Sequence, residues 1–193
     1  MKMEWCYWLN YATPMVCRQI ISLAMNLEEQ TPTLGFSSSE LNESIRRSRV
    51  RWVDHISNPE FTFVNDLMWK GLLKVNQDVY NFNVTKLPPM QFTEYDESYM
   101  GEYKMHQDVF WINPGPNHRK LTLILQLTDP SEYVGGDLVF HHIGEQPSTA
   151  DKEAMRQQGS LIVFPSFVFH QLTPVTKGKR RSLVAWFEGP KFQ

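Results

Sequence analysis

The chain has 193 residues, a size that fits one domain with a core large enough to fold alone. Its hydrophobic content of 41% and charged content of 21% are ordinary for a globular protein. A net charge of −2 supplies no basic field for nucleic acid, and no apolar run is long enough to span a membrane. The first ten residues carry polar side chains instead of a signal-peptide core, so we expect a cytoplasmic protein.

The N-terminal part, residues 1–89, is predicted to form helices and supporting strands. Residues 3–10 are typical of a short strand, and a helical pattern begins at Pro14 and ends near residues 28–30. A second helical pattern runs over residues 59–75, and we expect both helices to pack outside a sheet. Cys6 and Cys17 read as apolar side chains in a reducing compartment, although a bond between them stays open.

Between the helices lies a polar stretch, residues 36–49, that we interpret as a surface loop with the potential to fold over a substrate. It leads into a basic cluster made of Arg46, Arg47, Arg49 and Arg51. Contact with phosphate or nucleic acid is one interpretation of this cluster. Because no aromatic platform interleaves with the arginines, we favour a solvated loop and strand edge.

From residue 91 onward the pattern is that of strands. In the segment 121–127, leucines occupy every second position and therefore share one face, which we expect to pack against the helices. The opposite face carries Thr122, Ile124 and Gln126. Polar groups in mid-strand need partners when they are buried, and a pocket inside a barrel would supply them.

Three residues have the chemistry of a metal site. On an extended strand His106 and Asp108 point to the same face, and His170 follows in an apolar stretch. Two imidazoles and one carboxylate bind one face of a six-coordinate Fe(II) and leave three positions open, so this ion is preferred over zinc. His142 is a rival ligand, whereas His55 and His118 read as surface residues.

Arg180 follows His170 on another strand, and Ser182, Val184 and Trp186 share its face by alternation. An inward arginine is expensive to bury without an anion, which predicts an anionic ligand there. The alternative is an exposed charge at the edge of the sheet. The adjacent Arg181 would face the other way.

These motifs resemble the prolyl 4-hydroxylase group of Fe(II)/2-oxoglutarate dioxygenases, in its compact bacterial or viral type. The resemblance covers about residues 90–190 and rests on the HxD pair, on Gly135-Gly136-Asp137, and on the block from His170 to Arg180. It implies a mainly β fold with flanking helices (α+β) around a double-stranded β-helix, or jelly-roll, core. We expect one domain over residues 1–193, with the active site in residues 90–190.

The resemblance also implies the chemistry: hydroxylation of a C–H bond with release of succinate and CO2. Fe(II) would be held by His106, Asp108 and His170, with 2-oxoglutarate and O2 as cosubstrates and ascorbate as reductant. The predicted contacts to 2-oxoglutarate are Arg180, Tyr95 (or Tyr99 in its place), Thr122, Ser182 and Gln126. Trp186 and Tyr103 would line the substrate site, although Trp186 also reads as core filler and alternation does not turn Tyr103 inward.

A prolyl residue in a peptide or protein is the first choice of substrate. A free amino acid, another protein residue or a small metabolite are alternatives within the same chemistry. A non-catalytic metal-binding β-barrel module is another alternative, but its decayed site would lack one of His106, Asp108, His170 or Arg180, and all four are present. A zinc-binding cupin-like protein would retain the ligands. No nucleic acid or membrane is expected as a partner.

Overall fold

The computed structural model describes residues 4–30 and 44–193. The strands are β1 (Cys6–Trp8), β2 (Arg46–Arg47), β3 (Arg49–Val53), β4 (Met90–Asp96), β5 (Glu102–His106), β6 (Asn117–Gln126), β7 (Tyr133–Gly135), β8 (Leu138–His141), β9 (Leu161–Pro165), β10 (Phe169–Leu172) and β11 (Val175–Pro190). The helices are α1 (Pro14–Ala24), α2 (Thr62–Val75) and α3 (Thr149–Arg156).

Two antiparallel sheets form the centre of the molecule. The larger has the order β1-β9-β6-β11-β4-β3, with β7 also paired to β11, and the smaller has the order β2-β5-β10-β8. Strands that are distant in sequence, such as β1 and β9, are neighbours in space. Side chains of both sheets line one cavity, so the sheets face each other as the two halves of a jelly roll. The predicted fold class is confirmed.

The helices cover the outer face of the larger sheet. Leu121, Leu123, Leu125 and Leu127 are fully buried and belong to one cluster with apolar residues of α1 and α2. The expectation that the leucine face packs on helices is therefore confirmed. Helix α1 begins at Pro14, where the side chain of Thr13 accepts a hydrogen bond from the Val16 amide.

The basic cluster is not the solvated edge that we expected. Arg46 and Arg51 are buried, with 7% and 6% of their surface exposed. Arg51 donates to Glu29 Oε2 at 2.8 Å and Arg47 pairs with Glu102 at 2.6 Å. A carboxylate from a distant segment permits the burial of Arg51, and the local sequence does not reveal it. Arg46 instead donates to Ser48 and Gln91. The remaining arginine of the cluster, Arg49, is exposed.

Other expectations concern single segments. His118, which we expected on the surface, is buried. Cys6 and Cys17 are both free thiols. Residues 36–43 of the predicted covering loop lie outside the described part of the chain. Within the described ranges, no helix has both the length and the apolar character that crossing a bilayer requires. The single domain and the cytoplasmic location stay predictions.

Candidate active site

The smaller sheet brings the three predicted metal ligands together. Strand β5 ends at His106, which pairs directly with His170 of β10, and Asp108 lies two residues beyond the strand end. His106 Nε2 is 3.7 Å from Asp108 Oδ1, and His170 Nε2 is 3.6 Å from Asp108 Oδ2. One ligand atom from each residue lies within 4.8 Å of the others, as a single bound ion requires. Across residues 4–30 and 44–193 this is the one such group of His, Cys, Asp and Glu.

Neighbouring groups fix the orientation of each ligand. His106 Nδ1 lies 2.8 Å from the Lys104 carbonyl oxygen, and His170 Nδ1 lies 3.0 Å from that of Val168. A carbonyl only accepts, so each Nδ1 carries the proton and each Nε2 keeps its lone pair toward Asp108. Thr122 Oγ1 donates to Asp108 Oδ2 at 2.7 Å, which holds the carboxylate in place.

The electrostatics of the group suit a divalent cation. Burial lowers the pKa of His106 to about 3, and the neighbouring His170 imidazole acts in the same direction. Burial alone would raise the pKa of Asp108, but His170, His106, Arg119 and the hydrogen bond from Thr122 together lower it below its usual value. His106 is therefore neutral and Asp108 ionised near pH 7, which are the protonation states that bind metal. Nitrogen and oxygen donors in this combination fit Fe(II).

A cavity contains the three ligands and extends along the larger sheet. It is lined by Arg46, Gln91, Thr93, Tyr95, Tyr103, His106, Asp108, Thr122, Ile124, Leu138, His170, Leu172, Arg180, Ser182, Val184 and Trp186. The four residues of β11 in this set are those that alternation placed on one face. The residues of β11 that were expected to face inward therefore line the cavity.

Arg180 is the cation of this cavity that most needs an anion. Only 4% of its surface is exposed, and its Nη1 donates a hydrogen bond to Ser182 Oγ at 3.3 Å. No carboxylate in the described chain lies within 4.0 Å of its nitrogens, whereas Arg181 is paired with Glu94 at 2.7 Å outside the cavity. A buried guanidinium without a counter-ion fits a ligand carboxylate.

The other residues predicted to contact 2-oxoglutarate differ in whether they line the cavity. Tyr95 pairs with Arg180 across β4 and β11 and lines the cavity, while the hydroxyl of Tyr99 donates to the Glu94 carbonyl outside it. Ser182 lines the cavity beside Arg180. The hydroxyl of Thr122 is engaged by Asp108 and lies 3.0 Å from that of Ser166.

Gln126 lines a small neighbouring cavity, which Arg180 also borders. Its Nε2 donates to the Tyr133 hydroxyl at 3.0 Å, and its Oε1 is buried with no hydrogen-bond partner in the described chain. A buried amide that lacks one partner is a polar group to which a ligand or water would contribute.

Tyr103 lines the cavity although alternation predicted otherwise. Its ring stacks on that of His106 with centroids 3.5 Å apart and planes 12° apart. The pairing of β5 with β10 shifts between His170 and Leu172, so that three residues of β5 span two of β10. Such a bulge reverses the side-chain parity and turns both Tyr103 and His106 inward. The parity argument against Tyr103 was wrong for this reason.

Trp186 also lines the cavity, and its indole Nε1 is buried without a partner among the described residues. Its ring lies 6.2 Å from that of Trp52, which is 37% exposed. Arg46 lines the cavity as well, and the sequence argument missed it. Helical or strand periodicity contains no signal for such a residue, because its burial depends on the partner strand β5.

His142 does not join the metal ligands. It has a left-handed backbone conformation, with φ of 56°, directly after β8. Its ring contacts that of Phe169 at 5.5 Å. The rival assignment is therefore not supported by the geometry.

Residues 90–188, just over half of the chain, match the family model of the 2OG-Fe(II) oxygenase superfamily. A PKHD-type hydroxylase of Colwellia psychrerythraea is 27% identical over an alignment of 138 residues, and the match covers 64% of this chain and 60% of that protein. The chain spans about half the length of the curated relatives that it matches.

Solved structures share the fold. A prolyl-4-hydroxylase from Pseudomonas putida has a TM-score of 0.69 at 19% identity, over 97% of this chain and 94% of that one. A prolyl hydroxylase from Trichoplax adhaerens, in complex with a peptide fragment of hypoxia inducible factor, has a TM-score of 0.71 at 16% identity, over 95% and 83% of the two chains. With the family match, the jelly-roll fold and the His-Asp-His group in agreement, the chain belongs to the 2OG-Fe(II) oxygenase superfamily.

Proposed function

We propose that this protein is an Fe(II)- and 2-oxoglutarate-dependent dioxygenase that hydroxylates a prolyl residue of a peptide or protein. The observation that carries the proposal is the set of residues that line one cavity. A neutral His, an ionised Asp and a second His converge at one end. Arg180, buried and without a carboxylate partner among the described residues, faces the same space.

His106, Asp108 and His170 would hold the metal through Nε2, a carboxylate oxygen and Nε2. With 2-oxoglutarate and O2, bound Fe(II) supplies oxidation chemistry that yields succinate, CO2 and a hydroxylated substrate. Carbonyl groups of Lys104 and Val168 keep both imidazoles in the tautomer that binds metal. The three protein ligands occupy one face of the ion and leave the remaining positions to cosubstrates.

Arg180 would bind the distal carboxylate of 2-oxoglutarate, because its planar fork offers two parallel donors. Ser182 and Tyr95 border the same space and are further contacts. Gln126 would be a further contact to 2-oxoglutarate if the positions of its amide oxygen and nitrogen are exchanged. Its oxygen would then accept from the Tyr133 hydroxyl, and its nitrogen would be the donor directed away from Tyr133.

The substrate would enter at the metal end, where Tyr103 and Trp186 form apolar walls that suit a pyrrolidine ring. Burial raises the pKa of Tyr103 to about 12, so its hydroxyl remains a hydrogen-bond donor at neutral pH. The similarity in fold to two prolyl hydroxylases, one of them solved with a peptide, supports proline as the substrate class.

The direct test is succinate release. Metal-free protein would be supplied with Fe(II), ascorbate and 2-oxoglutarate, with and without proline-containing peptides, and the peptides analysed by mass spectrometry. We expect a proline peptide to stimulate succinate release and to gain one oxygen atom. Release that no peptide stimulates would retain the oxygenase and redirect the search to other substrates. Absence of release together with absence of 2-oxoglutarate binding would refute the proposal.

Two neighbouring arginines provide a matched pair of variants. Arg180→Lys keeps the charge but loses the fork, and we expect it to raise the KM for 2-oxoglutarate by roughly tenfold or more. Arg181→Lys preserves an ion pair with Glu94 outside the cavity and should leave this KM near the wild-type value. Steady-state kinetics on variants with wild-type circular dichroism would measure both. Equal effects of the two substitutions would contradict the assignment of Arg180.

A further inference from the structure

The cavity contains a second buried arginine that the proposed chemistry does not use. Arg46, on the edge strand β2, is 7% exposed and lines the cavity together with the metal ligands. Like Arg180, it has no carboxylate within 4.0 Å anywhere in residues 4–30 and 44–193. Its neighbours Arg47, Arg49 and Arg51 all form ion pairs with glutamates. Arg46 is thus the member of the basic cluster whose charge faces the cavity.

Hydrogen bonds hold two of the three guanidinium nitrogens of Arg46. Nε donates to Ser48 Oγ at 2.8 Å, and Nη2 donates to Gln91 Oε1 at 2.7 Å. The ring of Tyr103 covers the guanidinium, with Cζ 4.6 Å from the ring centroid. Nη1 has no acceptor in the described chain. The group is therefore fixed in position and has one donor nitrogen left for a ligand.

Arg46 and Arg180 lie at different ends of the cavity. Strand pairing places Tyr95 beside Arg180 and places Gln91, the partner of Arg46, beside Val184. Four residues along β4 separate Tyr95 from Gln91, a distance of roughly 13 Å. The two arginines therefore do not share one carboxylate, and the distal carboxylate of 2-oxoglutarate occupies Arg180 in the proposed function.

Arg46 lies instead at the metal end, where the substrate must place its reacting C–H bond. The ring of Tyr103 contacts both the Arg46 guanidinium and the His106 ring. A further cation, Arg119, lies over the Trp186 ring at 4.0 Å. Burial lowers the pKa of Arg119, while the charges of Asp108 and Glu188 raise it, so Arg119, unlike Arg46, has carboxylates near it.

We propose that Arg46 binds a carboxylate of the substrate and so makes the enzyme selective for acidic substrates. A buried cation without a counter-ion is stabilised when a ligand supplies one. At the metal end, Arg46 is the arginine that lines the cavity, and it offers one free nitrogen. One free nitrogen suits a singly charged carboxylate better than a doubly charged phosphate. The inference rests on the proposed function, since it names the substrate class for the same site.

The carboxylate has two possible sources: the side chain of an acidic residue beside the proline, or the α-carboxylate of a C-terminal or free proline. Three probe pairs distinguish them. The first is acetyl-Gly-Glu-Pro-Gly-amide and its Gln counterpart. The second is acetyl-Gly-Gly-Pro as free acid and as amide. The third is free proline and prolinamide. Calorimetric titration of the full chain, with and without Mn(II) and 2-oxoglutarate, would give the affinity of each.

We expect at least one acid probe to bind about tenfold more tightly than its amide to the wild-type protein. Arg46→Gln should abolish this preference, and Arg46→Lys should retain part of it. Arg49→Gln is the control, because Arg49 is exposed and lies outside the cavity. If no acid probe binds better than its amide, the inference is overturned. It is also overturned if Arg46→Gln weakens acid and amide equally, which is what a purely structural arginine would do.

The two proposals fail in different ways. Acid selectivity that depends on Arg46 in the absence of succinate release would retain this inference and remove the proposed function. Succinate release with equal use of acid and amide probes would do the opposite. Thermal unfolding of each variant shows whether loss of affinity reflects loss of folding.

Discussion

At the scale of single residues, the orientation of the three candidate metal ligands depends on neighbouring groups outside the set. The two imidazoles are oriented by main-chain carbonyls, and the carboxylate of Asp108 is oriented by Thr122. The sequence argument assigned Thr122 to 2-oxoglutarate because its hydroxyl faces the cavity. The structure shows the same hydroxyl bonded to Asp108, which favours a role in positioning the metal ligand.

Replacing Thr122 tests this role. Thr122→Val keeps the shape of the side chain but removes the hydrogen bond to Asp108, and we expect about 10- to 100-fold weaker metal binding. Thr122→Ser retains the hydroxyl and should bind metal nearly as well as the wild type. Calorimetric titration with Mn(II) would measure both. Weaker 2-oxoglutarate binding with unchanged metal affinity would instead support the direct contact to the cosubstrate.

At the scale of elements, strand alternation explains most of the cavity. Arg180, Ser182, Val184 and Trp186 face inward from β11 as a period of two requires. Alternation fails in β5, where a bulge brings Tyr103 onto the cavity face with His106. A bulge arises from the register of two strands that are far apart in sequence, so the parity of one strand cannot reveal it.

The turn between β7 and β8 also shapes the site. Gly136 has a φ of +64°, and a Cβ atom there would lie 2.9 Å from Cδ of Arg180. The glycine therefore provides the space in which the arginine lies, in addition to the backbone conformation that the turn requires.

Gly136→Ala should reduce both stability and cosubstrate affinity. We expect a loss of at least about 1 kcal/mol in the free energy of unfolding, from the left-handed backbone, and a severalfold higher KM for 2-oxoglutarate, from displacement of Arg180. Gly115→Ala is the control, since its Cβ would meet only Asn113 Oδ1 at 3.4 Å. Urea unfolding and steady-state kinetics measure the two effects. Unchanged kinetics in a folded Gly136→Ala protein would show that Arg180 does not need this space.

At the scale of the whole molecule, the two faces of the larger sheet have different roles: one packs against helices and the other lines the cavity. The leucines of β6 face helices α1 and α2, while Thr122 and Ile124 of the same strand face the cavity. Substitutions on the two faces should therefore have different consequences.

Leu123→Ala removes a side chain with no exposed surface and should lower the free energy of unfolding by about 2–5 kcal/mol. The metal affinity of the protein that remains folded should stay near the wild-type value. Leu73 of α2 is 61% exposed, so Leu73→Ala should change the free energy of unfolding by no more than about 0.5 kcal/mol. Thermal unfolding and Mn(II) titration at low temperature measure both quantities. A large loss of metal affinity in Leu123→Ala would show that the two faces are coupled.

The sequence by itself determined the fold class, the helical layer and the grouping of His106, Asp108, His170 and Arg180. These follow from hydrophobic periodicity, from residue chemistry and from a resemblance carried by the motifs, all of which are visible along the chain. Only the tertiary structure decided the burial of Arg46, Arg51 and His118. The same holds for the inward position of Tyr103 and for the hydrogen bond that Thr122 donates to Asp108. Each of these depends on a partner far away in the sequence or on the register between strands. Local pattern contains no information about which distant residue will supply a charge, a hydrogen bond or a shift in pairing.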